Sequence, residues 1–159
     1  MTLAHRRLRS GATGLSCLLS AGCASPTEAP LPLGTVLASI DGVAFTARRQ
    51  VYATHARGVL AIAALDDDGR TIHLTMKSPY RTAIVAVGAG EQNSASTGYK
   101  VQQWSSNLVG GMGEITVTAF DVEHAEGIFA YTAVAVPGTP ARGDRRVTGR
   151  FNVPFAIVE

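Results

Sequence analysis

Cysteine is nearly absent: the 159 residues hold two, Cys17 and Cys23, and none follows them. A disulfide framework is therefore excluded for the rest of the chain, whose stability must come from packing. Charge is also sparse, with 16% Asp, Glu, Lys and Arg against 46% hydrophobic residues, a balance that excludes disorder. The four histidines, His5, His55, His73 and His124, stand singly, without the second His or Cys that zinc spacing requires. No Gly-x-Ser-x-Gly nucleophile elbow occurs. The glycine-rich stretches 88–90 and 110–113 do not lie between a strand and a helix, as a phosphate cradle must. No catalytic residue and no cofactor is expected.

Beyond residue 33 no run of ten residues has helical spacing, and no internal repeat appears. What is there instead is alternation. Ile115, Val117 and Ala119 share one parity, a turn falls near Glu123 and His124, and Phe129, Tyr131 and Ala133 share the parity of the return run. Val147, Gly149, Phe151 and Val153 repeat the pattern after a polar loop, Pro137 to Arg146. Upstream, Asp41-Gly42 joins two apolar runs, Thr35 to Ile40 and Val43 to Ala47, and predicts a hairpin because both turn positions favour φ > 0. Arg48 to Arg57 reads as a weak strand or a continuation of the one before it. Val59 to Leu65 is apolar on both parities, the pattern of a central strand covered on both faces. Asp66-Asp67-Asp68-Gly69 turns the chain into the alternating run through Ile72, Leu74 and Met76. Ser78-Pro79 ends that run, Thr82 to Val87 forms a short strand, Gly88 to Gly98 reads as a long exposed loop, and Tyr99 to Trp104 as one further strand. The expected fold is all-β: a single-domain antiparallel β-sandwich, or a related closed sheet, over residues 34–159.

The N-terminus is of another kind. His5, Arg6, Arg7 and Arg9 precede a short apolar run through Leu15, Leu18 and Leu19, too short to span a bilayer and followed by small residues, so residues 1–22 read as an export signal. Removing its three arginines from the chain's 14 Lys and Arg leaves 11 against 12 Asp and Glu, and a nearly neutral domain argues against nucleic acid as a partner. Leu19-Ser20-Ala21-Gly22-Cys23 resembles the lipobox of bacterial lipoproteins, with the leucine one place further from the cysteine than usual. That resemblance implies diacylglycerol on the Cys23 sulfur and a lipidated N-terminus; with more than one acyl chain, anchoring is firm. Residues 23–33, with three prolines, then read as a tether reaching up to roughly 30 Å from the membrane.

Several pieces taken together point to a family: Ile40-Asp41-Gly42-Val43-Ala44-Phe45-Thr46-Ala47, Asp68-Gly69-Arg70-Thr71-Ile72-His73-Leu74, Gly113-Glu114-Ile115-Thr116-Val117-Thr118, Glu126-Gly127-Ile128-Phe129-Ala130-Tyr131-Thr132-Ala133 and Thr148-Gly149-Arg150-Phe151-Asn152-Val153. Their order resembles a family of bacterial surface lipoproteins known only as a domain of unknown function, over roughly residues 34–155. The resemblance implies architecture and a surface address, and no activity.

The expected role is a non-catalytic binding or structural module, lipid-anchored at the bacterial cell envelope, on the outer membrane or cell surface. The alternatives are a periplasmic or secreted glycan-binding or adhesion domain, and a hydrolase whose site assembles only in space. Asp66, Asp67 and Asp68 are weak candidates for a cation, with an Asp-Gly turn as the plainer explanation. Arg142-Gly143-Asp144 matches a short adhesion tripeptide, for which a solvated loop is the plainer reading. The two polar loops and the tryptophan supply the candidate ligand-binding residues: Glu91, Gln92 and Asn93 from one loop, Arg142, Asp144 and Arg145 from the other, and Trp104 as a stacking face. The expected partner is an envelope glycan or an envelope protein.

Overall fold

A computed structural model describes residues 29–77 and 82–158. The export signal, Cys23 and Ser78-Pro79 lie outside the described residues. Within them twelve strands form one sheet: β1 (Thr35–Ile40), β2 (Val43–Ala47), β3 (Gln50–Ala56), β4 (Val59–Leu65), β5 (Arg70–Lys77), β6 (Ala83–Gly88), β7 (Ser94–Tyr99), β8 (Gln102–Ser105), β9 (Met112–Phe120), β10 (His124–Ala135), β11 (Asp144–Pro154) and β12 (Ala156–Val158).

The hydrogen-bonded path runs β12-β3-β4-β5-β7-β8-β10-β11-β1-β2, with β6 and β9 branching from β10. Strand β10 is long enough to hold two partners on one edge, β9 along residues 125–132 and β8 at Val134 and Ala135. Strand β11 pairs with β10 and β1, and after Pro154 the chain crosses to β3 as β12, in the one parallel pairing. Proline cannot donate to a ladder, so the break falls where the chain changes partners. That crossing sets β3, next to one end of the path, beside β11 near the other. The sheet is antiparallel apart from that pairing, and nearly closed.

The core lies inside, built from one face of each strand: Val36, Phe45, Leu60, Ile62, Ile72, Leu74, Met76, Ile115, Val117, Phe129, Tyr131, Val147, Phe151 and Val153 are all buried. The expected parity of β10 and β11 therefore holds. In β9 it fails at one residue, because the register against β10 shifts between Glu126 and Gly127. The extra residue carries Phe120, instead of Ala119, toward the core. There Phe120 stacks on Phe155 at 5.1 Å between ring centroids, with the His55 ring edge-on to both.

Close approach of β10 and β11 depends on two glycines. Gly127 pairs with Phe151, and Gly149 with Phe129, so each aromatic ring lies across the glycine of the neighbouring strand. A Cβ on Gly127 would meet the Thr116 carbonyl oxygen of β9 at 2.4 Å and Phe151 Cζ at 2.7 Å, and one on Gly149 would meet the Leu37 carbonyl oxygen of β1 and Phe129 Cζ, each at 2.5 Å. Glycine alone weakens a strand, but a ring laid over it restores the buried area.

Several expectations are corrected. Residues 88–98 are not one loop: Ser94–Tyr99 is β7, in the middle of the sheet between β5 and β8. Ala95 and Thr97 face inward, the Thr97 hydroxyl donates to the Thr71 carbonyl at 2.8 Å, and the Ser96 carbonyl accepts from the Tyr131 hydroxyl at 3.0 Å. Tyr99 to Trp104 is not one strand but a hairpin turn, with Lys100 at φ 53°. The polar loop after β10 ends earlier than expected, because β11 starts at Asp144. Strand β4 is covered on one face only, since Leu60, Ile62 and Ala64 are buried while the residues between them are half-buried. Asp41-Gly42 is a hairpin as expected, with φ of 51° and 84°.

Residues 29–33 pack on the domain. Leu31 is buried, its carbonyl accepts from Asn152 Nδ2 at 2.8 Å, and the Ala29 carbonyl accepts from the Arg150 guanidinium at 3.2 Å. Burying a leucine contributes about 1.5–3 kcal/mol, and the two hydrogen bonds add to it.

The reciprocal glycine–phenylalanine pairing makes a specific prediction. Phe129→Ala costs about 3–5 kcal/mol and Gly149→Ala about 1–3 kcal/mol in urea denaturation. The double variant loses less than the sum, because removing the ring relieves part of the overlap; strict additivity would show that ring and glycine do not meet. A second prediction concerns Tyr131, whose hydroxyl burial pushes well above its ordinary range. A raised pKa in the folded state means stability fully present below the unfolded tyrosine value near 10 and lost as pH rises past it. Absorbance at alkaline pH should show Tyr131 ionising only together with unfolding, and a reversible tyrosinate in the folded protein would contradict its placement.

Candidate functional site

At one end of the barrel two arginines stand on strand parities that elsewhere carry core residues. Arg70 precedes Ile72, Leu74 and Met76 on β5, and Arg145 precedes Val147 on β11. An inward-facing charge must be matched or reach water, and both are matched. The Arg70 guanidinium lies 5.9 Å from the Phe45 ring centroid and binds Asp66 at 2.6 Å and Asp68 at 3.2 Å, with a further bond to the Ala44 carbonyl at 2.7 Å. The Arg145 guanidinium lies 4.4 Å from the Trp104 ring centroid and binds Asp41 Oδ2 at 2.9 Å.

Each arginine therefore closes the core with its guanidinium over an aromatic ring and its donors on an aspartate from a turn. The two pairs differ in exposure. Asp66 is buried and accepts from the Asp68 and Arg70 amides as well as from Arg70 Nε at 2.7 Å. The Arg145 and Asp41 side chains, at 36% and 39% exposure, stand open to solvent on one side.

Between these stacks lies a cleft of about 330 Å³, near the lower limit of small-molecule sites. The β1–β2 turn contributes Ile40, Asp41 and Val43; β5 contributes Arg70; β7 and β8 contribute Thr97, Tyr99, Gln102 and Trp104; β11 contributes Arg145. Its walls are largely apolar, with polar groups at the rim. Its one aspartate, Asp41, is engaged by Arg145 and also accepts from the Arg146 amide at 2.8 Å.

The sequence-predicted site residues divide between places. Trp104 and Arg145 line the cleft together. Trp104 is buried and not the exposed stacking face expected: its ring faces Arg145, and its Nε1 donates to the Arg142 and Gly143 carbonyls at 3.3 and 3.1 Å. Arg142 and Asp144 are exposed beside it, with the Arg142 guanidinium on the Ala141 carbonyl at 2.7 Å, and neither lines the cleft. Glu91, Gln92 and Asn93 precede β7, whose far end reaches the cleft, so the six-residue strand separates them by roughly 17 Å. Asn93 is a bracket between strands, accepting from the Lys77 amide at 2.8 Å and donating to the Ala86 carbonyl at 3.0 Å. Asp66 and Asp68 are committed to Arg70, and the described residues hold no group of three His, Cys, Asp or Glu placed to bind a metal. Asp41, Arg70 and Gln102 were missed; for Arg70 the legible signal was an arginine on a core parity with an aspartate in the turn before it.

A family model described as a domain of unknown function, DUF6252, matches residues 34–153. The chain belongs to that family. The match covers the β-domain from the residue before β1 to the end of β11. Comparison with curated proteins and with solved structures finds no match to the chain.

The Asp66–Arg70 pair is a structural tie, and Asp66→Ala should show it. The variant leaves Arg70 without its buried partner and loses about 1.5–3 kcal/mol in chemical denaturation. An unchanged midpoint would place the weight of that turn on Gly69 and the backbone alone.

Proposed function

We propose that this protein is a lipid-anchored module of the bacterial cell envelope that binds a small envelope ligand without transforming it. The observation that carries the binding reading is the cleft beside the Asp41–Arg145 pair. It offers charged donors and acceptors that are organised yet solvent-accessible, on a wall of apolar and aromatic residues. Recognition of an envelope glycan, or of a protein that carries one, uses such a combination of planar polar groups and an apolar surface. The one aspartate in the cleft is paired to an arginine, which favours binding over acid–base chemistry.

The anchoring reading rests on the basic start, the short apolar run and the small residues before Cys23. Five residues separate Cys23 from Ala29, where the chain meets the domain, so the lipid would lie within about 20 Å of that contact. Strand β1 begins beside this contact and ends at the cleft, so a domain held this way presents the cleft on the end away from the bilayer.

Anchoring is tested with Cys23→Ser, which should move the protein from the membrane fraction to the soluble one and abolish labelling by a palmitate analogue. Wild-type protein that takes up no label would overturn the anchor. Binding is tested by envelope capture on the immobilised full chain. The wild type should retain a component that the Tyr99→Ala, Gln102→Ala double variant does not, and equal capture by both would overturn the cleft as the site.

A further inference from the structure

The cleft's charge arrangement narrows the ligand class, on the reading that the cleft binds at all. Arg145 spends one nitrogen on Asp41 at 2.9 Å, and its guanidinium carbon lies over the Trp104 ring, 4.4 Å from the centroid. A guanidinium has five N–H donors in a rigid fork, suited to accepting a carboxylate along one edge. Because Asp41 is also a carboxylate, it occupies Arg145 as a ligand carboxylate would, and both side chains are open to solvent. The Asp66–Arg70 pair beside it is largely buried and held by several bonds, so exchange falls to the Arg145 pair.

The neighbouring carboxylates limit the ligand's charge. Asp66 and Asp68 bind Arg70, so a ligand carboxylate would meet Arg145 in place of the single charge that Asp41 withdraws as it turns to water, whereas a phosphate dianion would add a second negative charge beside those aspartates. The remaining walls describe the ligand's body. Ile40, Val43 and Tyr99 give an apolar side and Gln102 an amide that both donates and accepts, a pairing suited to a ring with one apolar face and hydroxyls on its edge. We infer that the cleft takes a carboxylate-bearing sugar ring of uronic-acid type, with Arg145 exchanging Asp41 for the ligand carboxylate while it stays stacked on Trp104.

Trp104 is the only tryptophan in the chain, so its fluorescence reports this site alone. The full chain in detergent micelles is titrated with methyl β-D-glucuronide and, separately, with its neutral counterpart methyl β-D-glucoside. A saturable change in Trp104 emission with the glucuronide, at least about tenfold weaker with the glucoside, is the expected result for a lost charge-assisted bond. Asp41→Asn should tighten glucuronide binding several-fold, since it removes the competing charge and keeps an oxygen for the Arg146 amide. Arg145→Lys keeps the charge but not the fork and should lose most of the response, with thermal unfolding recorded alongside to confirm a folded protein. An equal response to both sugars, or weaker glucuronide binding in Asp41→Asn, overturns the carboxylate exchange while leaving the cleft a binding site. A response to neither sugar overturns the inference, and the broader binding reading then rests on envelope capture.

Discussion

The shape of this domain depends on how closely β10 and β11 can approach. Phe129 and Phe151 lie at 6.5 Å between ring centroids, nearly parallel, each over a glycine of the opposite strand. Any side chain at Gly127 or Gly149 would force a ring outward, and with it the layer that Tyr131, Val147 and Val153 complete. Because β10 carries β8 and β9 on one edge and β11 on the other, its position sets where both halves of the sheet begin.

The two ends of the barrel are sealed by different chemistry. At the end where the N-terminal segment packs, the seal is apolar: Leu31 is buried, and Phe120, Phe155 and His55 cluster where the chain crosses from β11 to β12. At the other end the strands finish in arginines, which carry aliphatic stems and flat cationic heads and can therefore end a core without exposing it. Water reaches that end, where the Arg145 and Asp41 side chains are partly open to solvent.

Much of the fold was legible because alternation is a direct image of a one-sided sheet. The stretch 112–154 reads correctly apart from the start of β11, placed three residues late, and Ala119, where a bulge of a single residue reverses parity and leaves no mark in the sequence. Strand β7 was hidden by its composition. Ser94, Ala95, Ser96 and Thr97 are residues of loops in most settings, and here small inward residues are needed because the Tyr131 hydroxyl reaches across to the Ser96 carbonyl. The site was half legible for a related reason. Trp104 and Arg145 drew notice as residue types, but their contact spans β8 and β11, and its partner Asp41 lies 104 residues from Arg145 in sequence. Polar loops suggested Glu91, Gln92 and Asn93, although a polar side chain in a turn often serves the backbone around it, as Asn93 does.

The same long separation governs the order in which the domain can come into being. Strand β1 has β2 beside it at once, but its other edge waits for β11, and β3 waits for β12 before its outer edge is covered. A chain made from its N-terminus thus carries local hairpins and an open rim until the late strands appear. Only when β11 and β12 have been made are the outer edges of β1 and β3 covered.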